Sequence, residues 1–441
     1  MKNTKQIIYN NLPWFFKNIL VTTYNLRFLK THSKKYYQLI EEYKRWFYEQ
    51  DFEKIKKDQN DRFLEFIKYS KENNPYYNDK LKDIEVKSID DIKNLPIISK
   101  VEFANMESSK SEEKRIVGYT GGSTGVSTKF YLFEDDYIER QANLDFFRGM
   151  YEYKFKDSIA WFSGKEIINL KDIKNNKFWV KDYLNNITYF STFHLNEKYI
   201  LSMIEELNNS KIEFMAGFPS AIYDIAYIWK KNNIPIKIKL KAIFPTSEPL
   251  DETKKQFLKE FFNCAVPDQY ASSEGAHFIY ECPHGTLHYD MHSGIFEIVD
   301  NRLLVTSFTT KCMPLIRFDI GDMIELDDSC KICKCGSKMP IVNKIIGRTT
   351  DYLYSPERGK VTVSNISNVV KYLKGIRKLQ IIQNDNDFSI LVKYISDVKL
   401  EKELEYELKY RLGENIKITY KKVDEIEASK NGKFKMIIHE K

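Results

Sequence analysis

Cysteine is scarce in this chain of 441 residues and is confined to its second half: there are six cysteines, and the first is Cys264. A secreted scaffold held by disulfides is short and dense in cysteine, so that class is excluded. Glycine (17 residues) and proline (12 residues) are too few for a fibrous or low-complexity protein. We therefore expect a globular protein of a reducing, cytoplasmic setting.

Long apolar runs are also missing. The longest apolar patch, Leu12–Leu26, contains Pro13, Lys17, Asn18 and Asn25, which makes it too short and too polar for a transmembrane helix. The patch has no small-residue cleavage site, so a secretory signal is not expected.

Acidic side chains are absent from residues 1–40, which carry seven lysines or arginines and several aromatic rings. A basic, aromatic, amphipathic segment of this kind can rest on the anionic inner face of a membrane. The alternative is a helix that packs on the protein's own body and leaves a basic face in water, which is the more common outcome. The sequence leaves both interpretations open.

What the chain does contain favours a large folded protein. Hydrophobic residues make up 42% and aromatic residues 14% of the sequence, which excludes a wholly disordered chain. The length predicts about two to four domains or subdomains. The 69 basic side chains exceed the 62 acidic ones only modestly, so the net charge of +7 does not indicate a nucleic-acid partner.

Hydrophobic patterning divides the chain into four stretches. Residues 34–74 read as long charged helices with apolar side chains every three to four positions. Farther along, buried strands alternate with amphipathic helices, which predicts an α/β sheet. Residues 294–326 read as antiparallel strands, the last of which is predicted over residues 313–326. Residues 352–441 have a strand and helix pattern of their own, with an amphipathic helix over residues 398–412. We predict an α/β fold class: a large N-terminal domain of α/β sheets plus a β-ribbon (1–349) and a small α+β C-terminal domain (350–441).

The sharpest local motif is the segment Tyr119-Thr-Gly-Gly-Ser-Thr-Gly-Val-Ser-Thr-Lys129. Such a loop can wrap phosphate oxygens with backbone N–H groups and hydroxyls. It is not a Walker A loop, since no Gly-Lys-Ser/Thr follows at the right spacing, and Thr120 stands where a dinucleotide fingerprint needs its first glycine. The alternative interpretation is a glycine-rich hairpin turn, and the segment alone does not decide between the two.

Five weaker motifs follow along the chain. They are Ser247-Glu-Pro-Leu250, Tyr270-Ala-Ser-Ser-Glu274, Arg317-Phe-Asp-Ile-Gly-Asp322, Gly347-Arg-Thr-Thr-Asp351 and Asn431-Gly-Lys-Phe-Lys435. Each alone has a plain interpretation as a turn or a solvated charge. Together, in this order, they resemble the adenylate-forming superfamily of acyl- and aryl-CoA synthetases, and most closely the phenylacetate–CoA ligase family and its CapK-like capsule-biosynthesis relatives. The resemblance covers residues 35–441.

The resemblance implies a role for each matching residue. The ATP phosphates would be held by Thr120, Gly121, Gly122, Ser123, Thr124 and Gly125. The adenine pocket would be formed by Ser247, Glu248, Pro249 and Tyr270. The catalytic residues would be Lys433, Arg348 and Glu274. Glu274 would bind Mg²⁺, and Ser273, which precedes it, would be a nucleotide-binding residue. Asp322 would hold both ribose hydroxyls, and Asp351 would be the hinge of a mobile C-terminal domain.

Two positions depart from the residues that are usual in the family. Ser127 stands where the family usually has proline, which implies a more mobile loop, and Ala271 stands where it usually has glycine. Phe218 would lie beside the acyl pocket by the same resemblance, and a strand-end turn is the alternative for that segment.

The late cysteines are clustered. The segments Cys330-Lys-Ile-Cys-Lys-Cys335 and Cys282-Pro-His-Gly-Thr-Leu-His288 combine thiolates with imidazole, which are ligands of tetrahedral Zn²⁺. The alternative is a set of free thiols in a surface loop. The family resemblance implies that Cys282, His288, Cys333 and Cys335 bind a structural zinc ion, with Cys330 as an alternate ligand.

The implied function is that of an AMP-forming carboxylate ligase of the acid–thiol type, with ATP and Mg²⁺ as cofactors. It would activate a carboxylic acid to an acyl-adenylate with release of pyrophosphate, and coenzyme A would be the default acyl acceptor. One alternative is an amide ligase that attaches an acyl or amino acid group in surface-polysaccharide biosynthesis. Another is a non-catalytic binding protein of the same fold, and the presence of Glu274, Asp322 and Lys433 argues against it.

Overall fold

The computed structural model describes residues 9, 11–26, 31–49, 51–119, 128–164, 167–327, 333–348, 352–362, 366, 369, 373, 375–427, 429 and 434–440, except the side chains of 348, 360 and 362. Its helices are α1 (Trp14–Tyr24), α2 (Lys34–Tyr48), α3 (Phe52–Asn73), α4 (Pro75–Lys80), a 3₁₀ helix (Ile89–Asn94), α5 (Lys100–Asn105), α6 (Glu134–Gly149), α7 (Leu170–Lys174), α8 (Glu197–Asn208), α9 (Pro219–Lys231), α10 (Glu252–Phe262) and α11 (Glu401–Leu412).

The strands are β1 (Arg115–Tyr119), β2 (Lys129–Phe133), β3 (Ile159–Ser163), β4 (Trp179–Asp182), β5 (Ile187–Ser191), β6 (Phe214–Gly217), β7 (Ala242–Pro245), β8 (Gln269–Tyr270), β9 (Ile279–Glu281), β10 (Leu287–Tyr289), β11 (Gly294–Val299), β12 (Arg302–Ser307), β13 (Leu315–Asp319), β14 (Asp322–Leu326), β15 (Ile341–Arg348), β16 (Tyr352–Ser355), β17 (Gly359–Thr362), β18 (Ile376–Asn384), β19 (Ile390–Ser396), β20 (Ile418–Lys422) and β21 (Ile437–Glu440).

Spatial proximity divides the chain into two units. The first unit comprises Met1–Tyr24, Lys156–Val266 and Gly347–Lys441, and the second comprises Asn25–Phe155 and Pro267–Ile346. None of the helices that the structure describes has both the length and the hydropathy needed to cross a lipid bilayer.

The first unit contains a five-stranded sheet in the order β4-β5-β3-β6-β7. Strands β5, β3, β6 and β7 run parallel, and β4 is an antiparallel edge strand. All four residues of β6 and of β7 are buried, as expected for parallel strands that are covered on both faces. The apolar faces of α8, α9 and α10 complete this core.

The C-terminal part of the first unit has its own sheet, in the order β20-β19-β18-β21. Strands β18 and β19 are antiparallel, whereas β20 and β21 each add in parallel at one side. Helix α11 packs here because Leu404, Leu408 and Leu412 recur at four-residue spacing and are fully buried. The predicted α+β unit is therefore present, and together with the parallel sheet it confirms the predicted α/β fold class.

The second unit joins the long helices to antiparallel sheets. Helix α3 buries Phe63, Phe66 and Ile67 in a core that also receives strands of the sheets β14-β15-β10-β9-β8 and β11-β12-β13. The sequence pattern read residues 313–326 as one strand, but the structure divides them into β13 and β14. The chain turns at Gly321, whose φ of +72° favours glycine and whose N–H donates to Asp319 Oδ1 at 3.0 Å.

Candidate nucleotide site and metal centre

Several of the residues to which the resemblance assigns roles lie outside the described residues. They are Thr120, Gly121, Gly122, Ser123, Thr124 and Gly125 of the glycine-rich segment, Asp351, Cys330, Lys433 and the side chain of Arg348. The neighbours of the glycine-rich segment are described: β1 and β2 form an antiparallel pair in which Tyr119 is opposite Lys129. The segment therefore connects two paired strands.

Tyr270 and Asp322, which the resemblance assigns to adenine and ribose, lie together in the second unit. Tyr270 is the last residue of β8, and Asp322 is the first residue of β14. The Tyr270 hydroxyl donates to Asp322 Oδ2 at 2.8 Å, and the carboxylate is largely buried, with 9% of Asp322 exposed. A carboxylate at a strand end that already accepts from a phenol is a group of the kind that binds hydroxyl donors.

The loop that carries Ser273 and Glu274 is held rigidly. The Ser272 hydroxyl accepts hydrogen bonds from the N–H groups of Gly275 (3.2 Å) and Ala276 (3.0 Å). Gly275 has a φ of +127°, and a Cβ atom at this position would lie 2.2 Å from Thr310 Cγ2, so only glycine fits here. Glu274 is half-buried in this loop, and Ser273 is exposed.

Arg140 of α6 binds the same loop, and no sequence motif indicates this role. Its guanidinium donates to the backbone oxygens of Gly275 (2.7 Å), Ala276 (3.1 Å) and Ser272 (3.1 Å). Burial lowers the pKa of Arg140 to about 10, and nearby acidic groups that include Glu274 partly offset the effect. Arg140 is therefore charged at neutral pH and fixes the backbone on both sides of Glu274.

The predicted adenine loop Ser247-Glu248-Pro249 follows β7 in the first unit. Glu248 accepts hydrogen bonds from two backbone N–H groups, that of Ser220 at 3.3 Å and that of Phe434 at 2.7 Å. Burial raises the pKa of the Glu248 carboxyl, and these hydrogen bonds partly offset the increase. Ser247 has a φ of +69° and is exposed, as is Pro249. The contact joins this loop to the segment that immediately follows Lys433.

Phe218 lies at the end of β6 and precedes α9. It is 5% exposed and belongs to the core of the first unit, where its N–H donates to the Phe162 oxygen at 2.8 Å. The structure thus places it in a strand-end turn whose side chain is packed inside, and its part in an acyl pocket stays a prediction.

Four potential metal ligands meet in the second unit. The ligand atoms of Cys282, His288, Cys333 and Cys335 all lie within 4.8 Å of one another. Zinc with Zn–S bonds of about 2.3 Å and a Zn–N bond of about 2.0 Å requires tetrahedral edges of about 3.8 Å (S to S) and 3.5 Å (S to N). The Cys282–Cys333 Sγ distance is 3.7 Å, and the Cys335 Sγ to His288 Nε2 distance is 3.5 Å. The donor set therefore fits a zinc ion.

The surroundings of this cluster orient its ligands. His288 Nδ1 lies 3.0 Å from the Met339 carbonyl oxygen, so Nδ1 carries the proton and Nε2 faces the three sulfur atoms. Cys282 and Cys333 each begin a tight turn, closed by N–H donation from Gly285 (2.8 Å) and Gly336 (3.0 Å) to their carbonyl oxygens. Burial raises the pKa of the Cys335 thiol to about 12, so a metal must displace a proton there.

Comparison with solved structures shows that the chain has the fold of the adenylate-forming ligases. It is similar to 2-hydroxyisobutyryl-CoA ligase, solved in the postadenylation state with 2-HIB-AMP, with a TM-score of 0.72 and 15% sequence identity. The match covers 90% of this chain and 91% of that chain.

Comparison with known sequences then identifies the family. The chain is 33% identical to Protein CapK of Staphylococcus aureus over 452 residues, which cover 98% of each chain, and it belongs to that family. The family model described as the CapK C-terminal domain matches residues 353–440. Indoleacetate–lysine synthetase of Pseudomonas savastanoi is 24% identical over 249 residues, which cover 53% of this chain and 60% of that protein. The predicted resemblance is thereby confirmed.

Proposed function

We propose that this protein is an ATP-dependent, AMP-forming carboxylate ligase. The carboxylate of the acid attacks the α-phosphorus of ATP, the bond to the β-phosphate bridging oxygen breaks, and pyrophosphate leaves with that oxygen. The product is a mixed anhydride, an acyl-adenylate. An acceptor nucleophile then attacks the acyl carbon, AMP leaves, and the acceptor loses a proton.

The contact between Glu248 and Phe434 carries this proposal. Two anions must meet in the adenylation step, so the main barrier is charge repulsion, which a fixed ammonium group reduces. Lys433 directly precedes Phe434, whose N–H is bound to Glu248 of the predicted adenine loop. This attachment supports a role for Lys433 at the nucleotide, and the buried pair of Tyr270 and Asp322 supports ribose binding. Mg²⁺ held by Glu274 would neutralise phosphate charge.

The second half-reaction requires space at the same acyl carbon. We propose that residues 350–441 form a domain that turns about Asp351, so that Lys433 withdraws and the acceptor approaches. Coenzyme A is the proposed acceptor, in keeping with the fold shared with 2-hydroxyisobutyryl-CoA ligase. An amine is the second candidate, favoured by the sequence similarity to indoleacetate–lysine synthetase.

A panel of carboxylic acids tests the proposal. We expect pyrophosphate release from ATP that depends on one chemical class of acid, and formation of a thioester when coenzyme A is present or of an amide when lysine and related amines are supplied. The Lys433→Ala variant supplies the background rate. Absence of acid-dependent pyrophosphate release across aliphatic, aromatic and amino acids, in protein that melts cooperatively, would favour a non-catalytic binding protein.

We further propose that Cys282, His288, Cys333 and Cys335 hold one Zn²⁺. Four protein ligands leave no open position on a tetrahedral ion, so the metal would be structural. It would tie the β9–β10 hairpin to the segment that precedes β15, both in the second unit.

Arg140 is expected to be a positioning residue for Glu274. In Arg140→Met three loop carbonyl oxygens lose their donor, and a small displacement of Glu274 should lower the rate of pyrophosphate release by about tenfold to a hundredfold. The Mg²⁺ concentration needed for half-maximal rate should also rise, which a purely structural defect would not cause.

Arg148→Met is the matched control for Arg140→Met. Arg148 belongs to the same helix and is buried, but its ion pair is with Asp145 at 3.1 Å. It should lose stability with an unchanged Mg²⁺ requirement, and Arg140→Lys should recover part of the Arg140→Met loss. An unchanged Mg²⁺ requirement in Arg140→Met would contradict the assignment.

A further inference from the structure

Helix α1 packs on the first unit with its polar side inward. The inward stripe consists of residues three and four positions apart, namely Trp14, Lys17, Asn18, Val21 and Thr22. Lys17 and Asn18 are fully buried, and Lys17 forms an ion pair with Asp172. A packed helix was one of the two alternatives for this segment, but with its basic face in water, whereas the structure buries the only lysine of α1.

The reason for this orientation is the open edge of the five-stranded sheet. Edge strand β4 directs alternate backbone groups outward, and an exposed edge of this kind invites unwanted pairing. Side chains of α1 bind these groups: the Trp14 indole donates to the Trp179 oxygen (2.6 Å), Asn18 Oδ1 accepts from Lys181 N–H (3.0 Å), and Thr22 Oγ1 accepts from Tyr183 N–H (3.1 Å). The polar face of α1 is therefore required on the inside.

The apolar face of α1 is consequently left in solvent. Its large hydrophobic side chains are each between 41% and 61% exposed: Phe15, Phe16, Ile19, Leu20 and Tyr24. We refer to these five side chains as the outer face of α1. Leu170 of α7 is also exposed, at 77%, two residues from the Asp172 that pairs with Lys17. A contiguous face of this composition is unusual for a surface that contacts only water.

Basic side chains prevail in the sequence segments beside the outer face. Residues 1–40 contain no aspartate or glutamate, and residues 167–183 contain four lysines. The two acidic residues in the latter range are both buried: Asp172 pairs with Lys17, and Asp182 accepts a hydrogen bond from Asn185 at 2.8 Å. Lys181 pairs with Glu206 at 2.6 Å, whereas Lys171 and Lys174 are exposed and can meet an anionic partner.

We propose that the outer face of α1 binds the surface of an anionic lipid bilayer, with the helix lying in the plane of the interface. Aromatic and aliphatic side chains would enter the boundary between head groups and acyl chains, and the neighbouring lysines would contact the anionic head groups. The inference is independent of the ligase proposal, because it involves neither the nucleotide residues nor the metal cluster.

The size of the face favours a lipid over a second copy of the chain. Five large side chains, each about half exposed, present on the order of 500 Å² of surface. A stable protein interface of standard size buries about 800 Å² on each partner. A bilayer has no such threshold, since interfacial helices bind through a few apolar side chains and basic residues.

Vesicle sedimentation with the full chain tests the proposal. We expect binding to vesicles that contain phosphatidylglycerol, weaker binding to pure phosphatidylcholine vesicles, and a decrease at high salt. In the double variant Phe16→Glu, Leu20→Glu the partition coefficient should fall by at least about tenfold, because each large apolar side chain contributes on the order of one such factor. Both positions are exposed, so the melting temperature should not change.

The control replaces two tyrosines that are equally exposed but lie elsewhere. Tyr406 and Tyr410 of α11 are 70% and 66% exposed, and their double replacement by glutamate should leave vesicle binding intact. If the Phe16→Glu, Leu20→Glu variant misfolds, the double variant Phe15→Ser, Ile19→Ser replaces it in the same measurement. Absent binding, equal binding to neutral vesicles, or equal binding by the outer-face variants would overturn the proposal. So would light scattering that shows a dimer which these variants dissociate, because a second copy would then cover the face.

Discussion

Replacement of Lys433 by alanine is expected to reduce acid-dependent pyrophosphate release by about 10²–10³, which corresponds to roughly 2.7–4 kcal/mol of lost transition-state stabilisation. The reason is electrostatic: the attacking carboxylate and the α-phosphate are both anions, and a positioned ammonium group offsets their repulsion where charge accumulates. The next residue, Phe434, is anchored by its backbone N–H, which donates to the Glu248 carboxylate. The Lys433 side chain takes no part in this hydrogen bond. The variant should therefore keep this attachment and its stability.

Lys435→Ala is the matched control, since it removes a second lysine two residues farther on. The backbone oxygen of Lys435, which accepts from Gln380 Nε2 at 3.0 Å, is unaffected by that change. Acyl transfer from a supplied acyl-adenylate should be much less affected in Lys433→Ala than adenylation. A normal rate of pyrophosphate release in Lys433→Ala would rule out the assigned role.

Replacement of Cys335 by serine is expected to abolish metal binding and to lower the melting temperature by on the order of 10 °C. The native chain should contain about one Zn²⁺, bound by three thiolates and one imidazole. Loss of one thiolate leaves the Nε2 atom of His288, which lies 3.5 Å from Cys335 Sγ, facing an incomplete site. Because structural zinc binding is coupled to folding, the loss of metal should appear directly as a loss of stability.

Elemental analysis and calorimetry of tag-free protein measure both effects. Cys264→Ser is the control, because Cys264 lies in the first unit and is not among the four clustered residues. It should retain one zinc ion and nearly native stability. Metal-free native protein of unchanged stability would support the interpretation of the cluster as free thiols.

Local sequence pattern was sufficient for the secondary structure around the candidate site. The fully apolar runs at Phe214–Gly217 and Ala242–Pro245 are buried parallel strands, and the leucine spacing of α11 predicted its buried face. These features depend on which neighbours in sequence share a face, so they can be read from periodicity alone. The one-strand interpretation of residues 313–326 was wrong because the turn at Gly321 depends on a backbone conformation.

Such patterns do not predict contacts between residues that are far apart in the sequence. Tyr270 and Asp322 are 52 positions apart, and Arg140 precedes Gly275 by 135 positions. The metal cluster was predicted in part. Two short motifs indicated the ligand types, but their proximity results from the pairing of β10 with β9 and β15. Only the sheet topology decides which strand ends meet, since many arrangements satisfy the same hydrophobic pattern.

Helix α1 shows most clearly which features depend on sequence and which depend on tertiary structure. The sequence by itself determined that residues 12–26 are apolar, lie in a segment without acidic residues and are too short to cross a bilayer. It could not determine which side of the helix faces the protein, and hydrophobicity alone would turn Phe15, Phe16 and Ile19 inward. The tertiary structure decided otherwise, because the edge of β4 presents N–H and C=O groups that polar side chains of α1 bind. Pairing these edge groups places the polar side of α1 against β4, so the apolar side faces outward.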